Sequence, residues 1–167
     1  MELLKACENR ELHAIETLLQ RHFIDLTATD SKGRSVLHLA LGTSKVNIDK
    51  PKMHRILVIV RLLCEHGADV NAADHSGLCP IHYCAKTMNT EAAKYLLEHK
   101  VRINEPDSQG RTALYFTATD GHPDPEFAAV LLRKGGKLGK MKPKELLKSA
   151  NDSQRMVRFA IKRINAA

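Results

Sequence analysis

Apolar residues along this chain come in short bursts, spaced three or four apart, with polar, glycine-bearing stretches between them. Leu3, Leu4 and Ala6 open the first burst, and Leu12, Ile15, Leu18 and Leu19 make the second. Val36-Leu37-His38-Leu39-Ala40-Leu41 follows, then Met53, Ile56, Leu57, Val60 and Leu63. Later bursts hold Ala93, Leu96 and Leu97, then Phe127, Val130 and Leu131, then Met156, Val157, Ala160, Ile161 and Ile164. This spacing predicts amphipathic helices, each too short to be stable unless its apolar face meets a neighbour. Start and stop signals agree. Ser35 and Thr112 are hydroxyl caps, Pro80 suits a first helical position, Asp124-Pro125 opens another helix, and Gly67 suits a left-handed helix end.

The stretches between bursts repeat. Asp30-Ser31-Lys32-Gly33-Arg34-Ser35-Val36-Leu37-His38 is followed by Asp74-His75-Ser76-Gly77-Leu78-Cys79-Pro80-Ile81-His82, then by Asp107-Ser108-Gln109-Gly110-Arg111-Thr112-Ala113-Leu114-Tyr115. The glycines lie 44 and then 33 residues apart, a period that marks stacked repeats. The pattern resembles the ankyrin motif D-x-x-G-x-T-P-L-H-x-A, matched at Gly33, Leu37, His38 and Ala40, at Gly77, Pro80, Ile81 and His82, and more loosely at Gly110, Thr112 and Leu114. Glu65-His66-Gly67-Ala68-Asp69-Val70-Asn71 resembles the family's repeat ending.

The resemblance implies an all-α solenoid of stacked helix-turn-helix units with projecting β-hairpin loops, four to five repeats including degenerate caps. Residues 1–29 read as an N-terminal capping repeat, 30–73 as a repeat with an insertion at 43–54, 74–106 and 107–140 as two further repeats, and 141–167 as a basic, degenerate C-terminal cap. Two departures stand out. Cys79 replaces the usual capping threonine, which should weaken that copy, and Tyr115 replaces the motif histidine. His38 and His82 read as structural histidines. The final Asn165-Ala166-Ala167 and the lack of a second domain fit a piece of a larger protein or complex, expected to be monomeric.

Composition narrows the class. Tryptophan is absent and aromatics make up 4%, so the interior must be aliphatic. No run of eighteen apolar residues and no leader sequence is visible, and an intracellular protein, cytoplasmic or nuclear, is expected. The formal charge of +7 is uneven: residues 133–167 hold eleven Lys and Arg against Glu145 and Asp152. Cys7, Cys64, Cys79 and Cys84 lack metal-ligand spacing and read as reduced thiols; the cluster His75, Cys79, His82 and Cys84 has no second ligand pair. Phosphate loops, nucleophile elbows and paired carboxylates are missing, which predicts no catalysis, no cofactor and no metal.

In the family, partners meet the hairpin tips and the concave face of the first helices. Carried over by position, the tips offer Lys32 and Arg34, His75 and Leu78, and Gln109 and Arg111. The helix ends offer Thr43, Lys86, Thr119 and Asp120, and Tyr83 and Phe116 continue a ladder begun by Leu39. An apolar Leu78 between Arg34 and Arg111 would suit a protein segment with hydrophobic anchors and acidic flanks. The alternative is anion binding, to nucleic acid or acidic lipid, through Arg155, Arg158 and Lys162. The region has Phe159 but no aromatic platform for stacking bases, which speaks against nucleic acid. Membrane association is the weaker expectation as well. Asn71, with Leu63 eight residues before it, fits the family's pattern for asparaginyl hydroxylation; tying a hairpin together is the plainer role.

Overall fold

In the computed structural model, residues 1–21, 24–42, 50–119 and 125–139 are described. Eight helices occur among them: α1 (Glu2–Asn9), α2 (Leu12–Leu19), α3 (Val36–Leu41), α4 (Lys50–Glu65), α5 (Pro80–Thr87), α6 (Thr90–Leu97), α7 (Ala113–Thr119) and α8 (Pro125–Arg133). They pair as α1 with α2, α3 with α4, α5 with α6 and α7 with α8. The pairs stack, α1–α3–α5–α7 forming one layer and α2–α4–α6–α8 the other. No strand is present among the described residues; the only bridge there is the isolated antiparallel pair of Arg111 and Gly139.

The interior is aliphatic. Leu37, Leu41, Ile56, Ile59, Leu63, Ile81, Leu96, Leu114, Phe127 and Leu131 are fully buried, each of the aliphatic ones contributing about 1.5–3 kcal/mol by leaving water. Buried Ala40, Ala85, Ala93 and Ala128 let such short helices approach closely. The apolar face of α4 runs Ile56, Ile59, Val60 and Leu63, offsets of three, four and seven from Ile56, while Leu57 is only half-buried. On α1 and α2 the outward residues Glu2, Lys5, Asn9, Glu11, Thr17 and Arg21 are polar and line a groove, with Arg21 paired to Glu2 at 3.1 Å.

The expected insertion at 43–54 divides in two. Residues 43–49 lie outside the described residues, whereas 50–54 are the opening turns of α4, which at 16 residues is twice the length of α6. Part of the extra chain therefore lengthens a helix. Lys52, His54 and Arg55 on those turns face solvent.

Candidate functional site: the hairpin tips and the first-helix face

The second, third and fourth helix pairs each open on one aspartate that organises a turn. The Asp30 carboxylate accepts from the N–H groups of Lys32 and Arg34, both at 2.9 Å, and the Gly33 N–H donates to the Asp30 carbonyl. Asp74 accepts from Ser76 and Leu78 at 2.8 and 2.9 Å, and Asp107 from Gln109 and Arg111 at 3.0 and 2.8 Å. A short acceptor is needed because the turn aims its amides inward, and glycine is needed because the next position is left-handed, with φ of 74°, 75° and 77° at Gly33, Gly77 and Gly110. Gly77 has a second reason: a Cβ there would sit 2.8 Å from the Ser108 nitrogen.

Backbone bonds place the turns in register. The His75 N–H donates to the Lys32 carbonyl and the Ser108 N–H to the Ser76 carbonyl, each at 3.0 Å. Lys32, His75 and Gln109 are exposed, and their side chains bond to nothing among the described residues. Register assigns Ser76, not His75, to the position of Lys32 and Gln109: it is the Ser76 amide that bonds the turn aspartate. His75 stands one residue earlier, beside Gly33, where its ring packs against the glycine.

The expected apolar contact ringed by cations is not present. Leu78 is buried, 6% exposed, as part of the hydrophobic core. Arg34 is 15% exposed and held by Asp30 at 2.6 Å, with Glu8 at 3.4 Å. Arg111 is held by the buried Asp107 at 2.6 Å. The two arginines thus answer their own turn aspartates, holding those carboxyls below the usual range, and only Arg111 keeps a quarter of its side chain in water. Tyr83 and Phe116, at 5% and 4% exposure, are packing residues. Tyr83 donates its hydroxyl to Asp74 at 2.8 Å and makes a T-shaped contact with His38; Phe116 makes one with His82. Leu39, the first rung of that ladder, is buried too.

Lys86 remains available. It is half-buried, with its ammonium 5.9 Å from the centre of the Tyr83 ring and 5.8 Å from that of Phe116, and no carboxylate pairs with it among the described residues. Thr119 is the last residue of α7. Thr43, Asp120, Arg155, Arg158 and Lys162 lie outside the described residues.

The histidines serve the stack. Ser35 donates its N–H to Nδ1 of His38 at 3.0 Å, which leaves the proton on Nε2 to bond the Leu78 carbonyl at 2.8 Å. In the next copy the Cys79 N–H still donates to Nδ1 of His82 at 2.9 Å, but the thiol points to the Asn71 carbonyl at 3.6 Å. Nε2 of His82 is buried without a well-formed hydrogen bond, the Glu105 and Arg111 carbonyls facing it without completing one. Burial lowers both histidines from their ordinary value. In the third copy Tyr115 holds the histidine position, and the Thr112 hydroxyl donates to the Lys137 carbonyl within the same repeat.

Asn71 ties two repeats together: Oδ1 accepts from Arg102 N at 2.7 Å, and Nδ2 donates to the Lys100 carbonyl at 3.3 Å. Asn104 repeats this one unit on, with Lys137 N at 2.6 Å and the Gly135 carbonyl at 3.0 Å. Sequence reasoning missed Asn104, although the shared Ile/Val-Asn ending was there to find it. Hydroxylation of Asn71 would act on a side chain already held at both polar ends.

The thiols are protonated. Burial pushes Cys7 up to about 12 and Cys64 and Cys79 to about 11, and raises Cys84 as well. Among the described residues, no group of three metal-ligating side chains is gathered, and no helix is long and apolar enough to cross a membrane.

A stack of helix pairs joined through turn backbones, the His38 bridge and the Asn71 and Asn104 side chains defines a repeat scaffold. The family model for ankyrin repeats, three copies, matches residues 52–142, more than half of the chain, and the chain belongs to that family. It is 30% identical over 129 residues to the probable 26S proteasome regulatory subunit p28 of Saccharomyces cerevisiae, covering 76% of this chain and 50% of that protein. It is 28% identical over 109 residues to the human transient receptor potential cation channel subfamily A member 1, covering 65% of this chain and 9% of the channel. The putative ankyrin repeat protein FPV034 of fowlpox virus is 27% identical over 122 residues, 73% of this chain and 26% of the viral protein. The chain spans half or less of the length of these relatives. Ankyrin repeats are in general protein-interaction modules.

Proposed function

We propose that this chain is a non-catalytic adaptor or scaffold that binds a segment or surface of another protein through its hairpin tips and the adjoining face of the first helices. One observation carries this reading. The motif residues are buried or half-buried and largely bonded to one another, while the side chains of Lys32, His75 and Gln109 stand exposed on turns that backbone bonds hold in register and make no hydrogen bond among the described residues. A row of exposed side chains on turns whose backbones are already held in register is pre-organised for association, because the backbone has little ordering entropy left to lose on binding. The partner fits a segment with acidic flanks, since Lys32 at a tip and Lys86 on α5 have no paired carboxylate among the described residues. An intracellular setting, cytoplasmic or nuclear, suits protonated thiols.

The test is capture of partners from a cell extract by the full chain and by a Lys32→Glu/His75→Ala/Gln109→Ala variant. All three positions are exposed, so the variant should melt as the parent does. Partners held by the parent at moderate salt and released by the variant support the reading. Equal capture by both places the interaction elsewhere. Partners lost steeply with salt but kept by the variant would favour anion binding through the basic residues beyond 140.

A further inference from the structure

We propose that Lys86, backed by Tyr83 and Phe116 and flanked by Arg111, is the seat for one glutamate or aspartate side chain of the bound protein segment. This rests on the interaction reading above and assigns the atom that meets the partner's charge.

The seat is built from three helical and turn elements. Tyr83 and Lys86 lie one turn apart on α5, and Phe116 comes from the neighbouring α7. Lys86 Nζ lies within 6 Å of both ring centres, and the Arg111 guanidinium carbon lies 4.7 Å from the centre of Phe116. Ring faces are electron-rich, so they hold both cations in place and off the water-facing turns. Arg111 spends Nε and Nη2 on one oxygen of Asp107. Asp74, at the far end of the Tyr83 ring, is occupied by Tyr83 and two backbone amides. These two carboxylates are therefore engaged, and none among the described residues pairs with Lys86, which is left as an oriented, half-buried charge. Such a group rewards an arriving carboxylate more than a freely solvated lysine does, because less water and fewer rotamers are surrendered.

The probe is acetyl-Ala-Leu-Glu-Leu-Ala-amide, titrated into the isotope-labelled full chain beside its Gln counterpart, with the Lys86 Cε protons, Arg111 Nε–H and Phe116 ring followed by NMR. The expected result is saturable shifts at these groups and about fivefold tighter binding of the Glu peptide, the upper range for a partly exposed ion pair. Lys86→Gln and Lys86→Met should both abolish the Glu preference, while Lys134→Gln leaves it intact. Lys86→Met keeps the apolar stem over the rings, so loss of preference in both variants is loss of the charge. Equal affinities, a preference that survives either Lys86 variant, or no saturable shift at these groups overturns the seat. Peptide shifts confined to Lys32, His75 and Gln109 would do so while leaving the tip surface standing.

Discussion

His38 reaches 40 residues along the chain to the Leu78 carbonyl at 2.8 Å, and its counterpart His82 makes no such bond. Both copies keep a capping box, with the backbone N–H of Ser35 or Cys79 bonded to Nδ1 of its histidine, and they differ in the capping side chain. The Ser35 hydroxyl lies 2.8 Å from Nδ1 of His38, whereas the Cys79 thiol turns to Asn71 at 3.6 Å. A hydroxyl at 79 restores the first arrangement without adding volume. Cys79→Ser should stabilise the chain by about 0.5–1.5 kcal/mol, the scale of a helix cap, and raise its melting temperature by roughly 2–5 °C. A fall in the melting temperature would show that the sulfur's packing outweighs the cap.

Acid should weaken the stack in two stages. Burial depresses His38 and His82 below the ordinary histidine value of 6.5, so the folded chain binds fewer protons than the unfolded one just below that pH. Their contribution is complete above 6.5 and is lost as the pH falls through the depressed values. Asp30 and Asp107 are also held low, so theirs is complete above 3.8 and is lost only further down. Urea midpoints should therefore drop from pH 7.5 to 5.5 and drop again below pH 4; a midpoint that is flat between 7.5 and 5.5 contradicts the histidine part.

The repeats were legible because their signals are local: turn glycine, capping hydroxyl, three-four spacing. Ile59 was missed in favour of Leu57, since both are aliphatic and only packing against neighbouring helices decides which one faces in. The tip surface was misread for a similar reason. A motif names Arg34, Leu78 and Arg111 as variable, but not that each arginine would fold back on the aspartate four residues before it, or that Leu78 would join the core. The same i,i+4 relation is visible in the sequence, so the arginine pairing could have been anticipated; the burial of Leu78 could not.

Arg10 was not singled out beforehand, yet it joins the first helix pair to the second. It ends α1 in the left-handed region, and its guanidinium donates to the Ala40 carbonyl at 3.1 Å and to Leu41 at 3.5 Å, the orphan end of α3. Gly42 lies against it: a Cβ there would collide with Arg10 Nη2, and its φ of 79° with ψ of 172° suits glycine alone. Gly42→Ala should cost about 1–3 kcal/mol from backbone strain, and somewhat more once Arg10 is displaced. If Arg10→Met abolishes the extra part in a double-mutant cycle of thermal melts, the collision is its cause; strict additivity would assign the whole cost to the backbone.

Asn71 and Asn104 make the same two-ended bond to the following repeat. The shorter bond in each accepts a backbone N–H, at 2.7 and 2.6 Å, and the longer donates to a carbonyl. Replacing either by alanine leaves two backbone groups to part-accessible water, for a cost of about 1–2 kcal/mol. Aspartate keeps the acceptor and loses only the donor, so Asn71→Asp should cost less than Asn71→Ala. The two alanine changes sit on successive interfaces, and in a stack where each unit meets only its neighbours they should add. Urea titrations of the singles and the double decide it: a double variant much less stable than the sum would mean that the unit between them, Asp74 to Pro106, stays folded only while held from both sides.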